Sequence, residues 1–250
     1  MVTVSFLGTN GWFDSPIGNT VCALLESSDD FIILDAGFGI HKLDDFIPKK
    51  TKKRISLFLS HFHLDHIVGI HTLNKFKFKH LNIYGPKGTK KALTNIMKPP
   101  YTFRISDLSY SIEITELNKR WNKLPFDVDT RYLKHSVPCM GYRFSLDDRT
   151  VAYCTDTGVC KGLKELAKGV DLLIAECSYL PGEQHPEWPH LNPEQAARVA
   201  KKAGAKRLVL THFDAGRYTS EGKRNMAGLV ARKVFKDTVI AKDGMEITVD

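Results

Sequence analysis

Three imidazoles and a carboxylate fall within six residues in 60-SHFHLDHIVGI-70: His61, His63, Asp65 and His66. These are the nitrogen and oxygen donors that hold divalent cations, and their setting among Phe62, Leu64 and Ile67 argues against a solvated polar loop. On a strand, His61, His63 and Asp65 would share a face and His66 would point away. On a helix, His61 and Asp65 would align and His63 would lie nearly opposite. Neither period gathers all four. A strand end, a tight turn and a helix beginning near Asp65 would do so, with Ile67, Val68, Ile70 and Leu73 as the buried side. The helix dipole also favours a carboxylate at that start.

Other candidate donors close other apolar runs. FIIL is followed by Asp35, ISLFLS by His61, TVAYCT by Asp156, DLLIA by Glu176 and RLVLT by His212. In α/β architectures the C-terminal ends of strands are where ligands and catalytic groups collect. Turn chemistry alone would favour Asn, Gly and Ser at such places, so the five residues are expected to share one site. A single zinc needs three or four ligands, whereas His61, His63, Asp65, His66, His135, Asp156 and His212 make seven candidates. Seven suit two ions with one carboxylate bridging. The donor types favour zinc and are compatible with manganese or iron.

The elements that must position these groups alternate between β-rich apolar runs and helical patterns, which indicates α/β layers. Before one helix Asn192 can cap, Pro193 takes the first position, Gln195 closes a capping box, and Gly204 is placed to stop it. The stretch 181-PGEQHPEWPH-190 is expected to be an ordered loop. The alternation 75-KFKFKH-80 suggests an edge strand with lysines outward, and 83-IYGPKGTKKAL-93 suggests strand, turn and helix. His41, His71, His80 and His185 have no spacing partner and are expected to be structural or exposed.

The 250 residues, 42% apolar and 26% charged, suit one globular domain over 1–250 with a sizeable core. There is no apolar run long enough to span a bilayer. The start MVTVSFLGTN lacks a basic leader and a cleavage pattern, so the mature chain is expected to begin here. Five cysteines without paired spacing suit a reducing cytoplasm and argue against a Cys-based zinc site. The net charge of +8 is concentrated at 49-KKTKKR-54 and 86-PKGTKK-91, which fits a nucleic-acid partner and simple solubility equally well.

Residues 61-HFHLDH-66 match the H-x-H-x-D-H motif of the metallo-β-lactamase superfamily. The later markers follow in order at His135 in 135-HSVPCMGYRF-144, Asp156 in 155-TDTG-158 and His212 in 211-TH-212. The resemblance covers nearly the whole chain. It implies a four-layer αβ/βα sandwich with a dinuclear site at one edge. It implies His61, His63 and His135 as ligands of the first metal, and Asp65, His66 and His212 as ligands of the second. Asp156 would be the bridge, and Asp35 would support the histidine loop. Within the superfamily the sequence is most similar to the RNase Z branch and its phosphodiesterase relatives, through HSVPCMGYRF, LLIAECSY, 190-HLNPEQAA-197 and LVLTHF. In that branch a glutamate and a histidine at the Glu176 and His190 positions form a proton relay near the leaving group.

Two departures stand out. Many tRNA-processing members carry a long arm between the third histidine ligand and the bridging aspartate. Here residues 136 to 155 suffice for two strands and a turn at 147-DDR-149. The ending 212-HFDAGRY-218 also differs from the branch's shorter serine-containing form. Phosphonate-pathway cyclic phosphodiesterases are similar too, but their cysteine-rich N-terminal zinc pattern is missing. The expected activity is metal-dependent hydrolysis of small or cyclic phosphodiesters or short RNA, with Asp65 orienting the attacking water and Glu176 and His190 serving the leaving group. The alternatives are an ester, thioester or lactone hydrolase, an RNase Z-type tRNA 3′ endonuclease, or a metal-stabilised nucleic-acid-binding protein. No membrane partner is expected, and self-association is compatible with the sequence.

Overall fold

The computed structural model describes residues 1–117 and 124–250. The first half of the chain supplies β1 (Val2–Gly8), β2 (Asn10–Gly11), β3 (Cys22–Glu26), β4 (Asp30–Leu34), β5 (Arg54–Phe58), helix α1 (Leu64–Ile67), β6 (His80–Pro86), helix α2 (Thr89–Ile96) and β7 (Ser111–Leu117). The second half supplies β8 (Asp127–Tyr132), β9 (Met140–Leu146), β10 (Arg149–Cys154), helix α3 (Lys161–Leu166), β11 (Leu172–Glu176), helix α4 (Pro193–Ala203), β12 (Arg207–Thr211), β13 (Phe213–Asp214), helix α5 (Glu221–Val234), β14 (Thr238–Ile240) and β15 (Met245–Val249). One sheet runs β15-β1-β3-β4-β5-β6-β7 and the other β14-β12-β11-β10-β9-β8, with β13 and β2 forming a short separate pair. Strands β4 to β7 are parallel neighbours, as are β10, β11, β12 and β14.

Parallel strands covered on both faces read as continuous apolar runs, which is why DFIIL and LLIAE are buried at every position. Between the sheets, Phe6, Leu34 and Phe58 meet Tyr142, Phe144, Tyr153, Ile174 and Val209. The Phe58 ring stands edge-on to Tyr142 and Phe144 at 5.2 and 5.0 Å. Full burial of one such side chain stabilises by roughly 1.5–3 kcal/mol. Outside the first sheet lie Ile40, Leu43, Ile67, Ile70, Leu73 and Leu93 from helical segments. Outside the second lie Leu163 and Leu166 of α3 with alanines of α4 and α5. The four layers of the expected αβ/βα sandwich are therefore present. The predicted ends of α4 hold as well: Asn192 and Gln195 exchange capping hydrogen bonds, and Gly204 sits at φ 70°. Among the described residues no helix is long and apolar enough to cross a membrane.

Two local expectations need correction. The helix after the histidine motif tightens after one turn, so residues Val68–Lys75 form a 3-10 helix. At three residues per turn Ile67, Ile70 and Leu73 stack as the buried stripe, and Val68 is turned outward at 40% exposure. The segment 75-KFKFKH-80 is not an edge strand: β6 starts only at His80 and lies between β5 and β7. Phe76 and Phe78 stack on each other at 5.3 Å and pack into the outer layer, and that packing requirement overrides the local alternation.

Residues 98 to 134, which the sequence left unplaced, supply β7, β8 and their connections, with 118–123 outside the described residues. From His135 to Asp156 the chain is the β9–β10 hairpin, turning on Asp147 and Asp148 at φ 47° and 59°.

Candidate metal centre

The parallel strands of both sheets deliver their ends to one edge. Glu176 is the last residue of β11, Asp35 and His212 follow β4 and β12 directly, and Asp156 stands two residues after β10. The sheets are tied there: the Tyr153 hydroxyl donates to Asp35 Oδ2 at 2.7 Å, and the Met140 N–H donates to the Ser60 carbonyl at 2.8 Å. Asp35, Asp156 and His212 occupy left-handed backbone, at φ 57°, 42° and 53°. Asp and His tolerate that region better than most non-glycine residues. At these positions turn former and site residue are therefore the same residue, although the sequence reading set them against each other.

All seven candidate ligands meet, in two groups. One oxygen or nitrogen from each of His61, His63, His135 and Asp156 lies within 4.8 Å of the others, and Asp65, His66 and His212 form a second such set. Asp156 faces both. Its Oδ2 lies 3.8 Å from His61 Nε2 and 3.7 Å from His135 Nε2, while its Oδ1 lies 3.1 Å from His66 Nε2 and 3.0 Å from His212 Nε2. Burial pushes the His61 imidazole well below its ordinary range and His135 down to about 4. Both then present neutral imidazoles, the ligating form. Burial opposes ionisation of Asp156, but the charges of His212 and His66 hold its carboxyl well below the usual carboxylate range.

His61 Nε2 is buried with no hydrogen-bond partner. Such an atom costs about 1–3 kcal/mol, a penalty that ligation of a cation removes. The donor set fits a divalent metal on that ground.

Supporting contacts fix the rings. Asp35 is fully buried and accepts from the Ser60 N–H, the Ser60 hydroxyl, the Tyr153 hydroxyl and His66 Nδ1 at 2.7–2.9 Å. Glu176 is equally buried and accepts from the Thr157 N–H at 2.7 Å, the Ser178 N–H at 3.0 Å and His190 Nδ1 at 2.7 Å. With Nδ1 engaged, His190 has Nε2 left for the cleft it lines. Burial pulls His190 down, but the Glu176 charge and hydrogen bond outweigh it and raise the imidazole to about 9. His41, His71, His80 and His185 lie outside both groups and bond elsewhere, to Phe38, Val68, Ser111 and Glu183.

A family model for the beta-lactamase superfamily domain matches residues 31–213. The chain belongs to the beta-lactamase superfamily. This superfamily member is 27% identical to a ribonuclease Z of Methanosarcina acetivorans, over an alignment of 315 residues that covers 100% of this chain and 98% of the relative. The alignment is longer than this chain, so that relative carries segments missing here. Among solved structures it resembles the metallo-beta-lactamase fold protein YhfI from Bacillus subtilis, with TM-score 0.80, 26% identity and 98% of each chain covered. It also resembles the short form of human tRNase Z, with TM-score 0.76, 23% identity and 99% of each chain covered, a likeness of fold.

Four neighbours of the site went unread in the sequence. Ser60 sits between Asp35 and the rings of His61 and His66, and Ser178 Oγ lies 3.1 Å from His212 Nδ1. The Trp12 N–H donates to Asp65 Oδ2 at 2.7 Å, and a Cβ on Gly11 would lie 2.5 Å from the His212 ring. Ser60 and Ser178 stand one and two residues from a flagged position, which was the available signal. The contacts of Gly11 and Trp12, with His212 and Asp65, join distant parts of the chain and leave no local trace.

Replacing Asp35 with alanine strips a partner from His66, Ser60 and Tyr153 together. Because an outer partner of a ligand histidine is worth about 10- to 100-fold in metal affinity, Asp35→Ala is expected to weaken metal retention by that factor in a chelator competition. Retention equal to wild type would remove Asp35 from its supporting role.

Proposed function

We propose that this protein is a dinuclear metal-dependent phosphodiesterase acting on small or cyclic phosphodiesters or short RNA. The observation that carries the reading is Asp156, whose two oxygens face two separate ligand groups. In the proposed assignment His61, His63 and His135 would hold the first ion, Asp65, His66 and His212 the second, and Asp156 would contribute to both. Zinc is the preferred ion, with manganese or iron compatible with the same donors. Bound ions of this kind polarise a phosphoryl oxygen and supply a water whose pKa is lowered from 15.7 to about 7.

The protein's own groups do the rest. Asp65, held by the Trp12 N–H, orients the attacking water, and protonated His190, steadied by Glu176, hands a proton to the departing oxygen. The relay pair supports phosphodiesters over carboxylic esters, thioesters and lactones because it matches the Glu and His positions of the RNase Z branch, where the pair serves a phosphodiester leaving group. Five free cysteines fit a reducing cytoplasm. Metal analysis of the purified protein, followed by bis-p-nitrophenyl phosphate against aryl esters and lactones, tests the proposal. Turnover of lactone without diester would reverse the order.

Relatives named ribonuclease Z keep tRNA 3′ processing as the second reading. The β9–β10 hairpin leaves no arm between His135 and Asp156, and the basic tracts divide. Lys87 and Lys91 border His135 and Ser136 in one cleft, whereas 49–54 precedes and opens β5, at the end opposite His61. Short-RNA cleavage should therefore weaken steeply with salt, and Lys87→Gln with Lys91→Gln should flatten the log–log slope by about 0.7 per lysine. The pair Lys49→Gln and Lys52→Gln should leave that slope alone. Efficient removal of a tRNA 3′ trailer at physiological salt would favour the second reading.

A further inference from the structure

The cleft over the two ligand groups, about 610 Å³, is also lined by Trp12 and Trp188. Both indoles face water, at 69% and 50% exposure. They stand on different sides of Asp156. Trp12 belongs to the second group's side, with its N–H on Asp65 and the preceding Gly11 packed on the His212 ring. Trp188 belongs to the first group's side, its ring 6.2 Å from that of His135 and 6.3 Å from that of His190.

The exposure of Trp12 is built, not incidental. Its backbone is held at φ 75°, a left-handed conformation costing about 1–3 kcal/mol for a residue of this kind. The Asn10 amide ties the turn by donating to Phe13 O, Ser15 Oγ and Gly18 O at 2.8–3.0 Å. Thr9 and Asn10 are in turn gripped by the buried guanidinium of Arg224, which lies over the Phe213 ring at 4.8 Å. On the other side, the Tyr179 hydroxyl donates to the Trp188 carbonyl. A rigid backbone that leaves an indole in solvent presents a flat apolar plane whose ordering is already complete, which is what a stacking ligand gains from.

We propose that Trp12 and Trp188 select the substrate by stacking on the planar groups at either side of the scissile phosphate. Trp188, beside His190, takes the departing side, and Trp12 takes the retained side. The substrate class is then a linear diester joining two base-bearing residues, in preference to alkyl or cyclic diesters. Base–aromatic stacking is sequence-tolerant, so no particular base is required. The inference rests on the phosphodiesterase reading and sharpens it.

The test uses two diesters with the same leaving group: thymidine 5′-(p-nitrophenyl phosphate) and methyl p-nitrophenyl phosphate. Wild type should favour the thymidine ester in kcat/KM, and Trp12→Ala should cut that preference by about 5- to 150-fold, with Trp12→Phe restoring most of it. Trp188→Ala should raise KM for both esters alike, because both carry the nitrophenyl ring, and leave the ratio where it was. Indole fluorescence should quench saturably with thymidine 5′-monophosphate but not with methyl phosphate, and less so in Trp12→Phe. An unchanged ratio in Trp12→Ala overturns the inference. So does a wild type that self-associates and falls to monomer in Trp12→Ala with the ratio unchanged, since a second copy would then cover this face. If wild type hydrolyses neither diester, the phosphodiesterase reading fails, and the quench decides the stacking alone: saturable quench keeps it and absence of quench ends it.

Discussion

Asp156→Ala should lose bound metal and lower diester turnover by on the order of 10³-fold or more, several kcal/mol of transition-state stabilisation. Each carboxylate oxygen faces a different ligand group at 3.0–3.8 Å, so one substitution removes a donor from both. The other six candidate ligands remain, and residual occupancy of one ion per chain is the expected outcome. The fold should survive, because the β10 ladder and the bond from the Thr157 N–H to the Glu176 carboxylate use atoms that the substitution leaves in place. Elemental analysis alongside circular dichroism checks both halves. A fully active wild type that consistently holds a single ion would contradict the dinuclear assignment.

His190→Ala should retain both ions and still slow the hydrolysis of a diester with an alkoxide leaving group by about 10²–10⁴-fold. The loss should shrink for p-nitrophenyl esters, whose leaving group needs little proton assistance. His190 touches the centre only through ring packing against His135 and His212, and its hydrogen bond runs to Glu176. Glu176 is the less informative position to mutate. It also accepts from the Thr157 and Ser178 N–H groups beside Asp156 and His212, so its removal would disturb ligand placement and proton supply together. Equal losses for good and poor leaving groups would take His190 out of the acid role.

Asp35, His61, Asp156, Glu176 and His212 were legible because each carries its signal locally, a donor type closing an apolar run, whereas His135 and His190 follow polar stretches and were placed with their roles by the family motif. The cap and stop of α4 were legible for the same reason, since Asn192, Gln195 and Gly204 act on backbone groups within the helix itself. Val68 and the 75–80 segment misled because their local period was real but packing chose another. A helix that tightens to three residues per turn moves Val68 out of a stripe that a 3.6-residue period would have given it. Phe76 and Phe78 serve the outer core as a stacked pair in place of alternating across a strand. The separation of the basic tracts, and the tie from Trp12 to Asp65, depend on which ends of which strands lie together. Only the assembled sheets decide that.

The left-handed backbone at Asp35, Asp156 and His212 bears on how such a site persists through mutation. Glycine would sit at each of these three positions with no steric penalty, and one nucleotide change turns an aspartate codon into a glycine codon. At Asp156 that exchange would relieve backbone strain of about 1–3 kcal/mol while removing the carboxylate whose oxygens face both ligand groups. Backbone ease and the proposed metal role thus pull in opposite directions at the same residue. Asp156→Gly is therefore expected to hold less metal than wild type, with the relief of backbone strain offset by the stabilisation that bound metal no longer supplies.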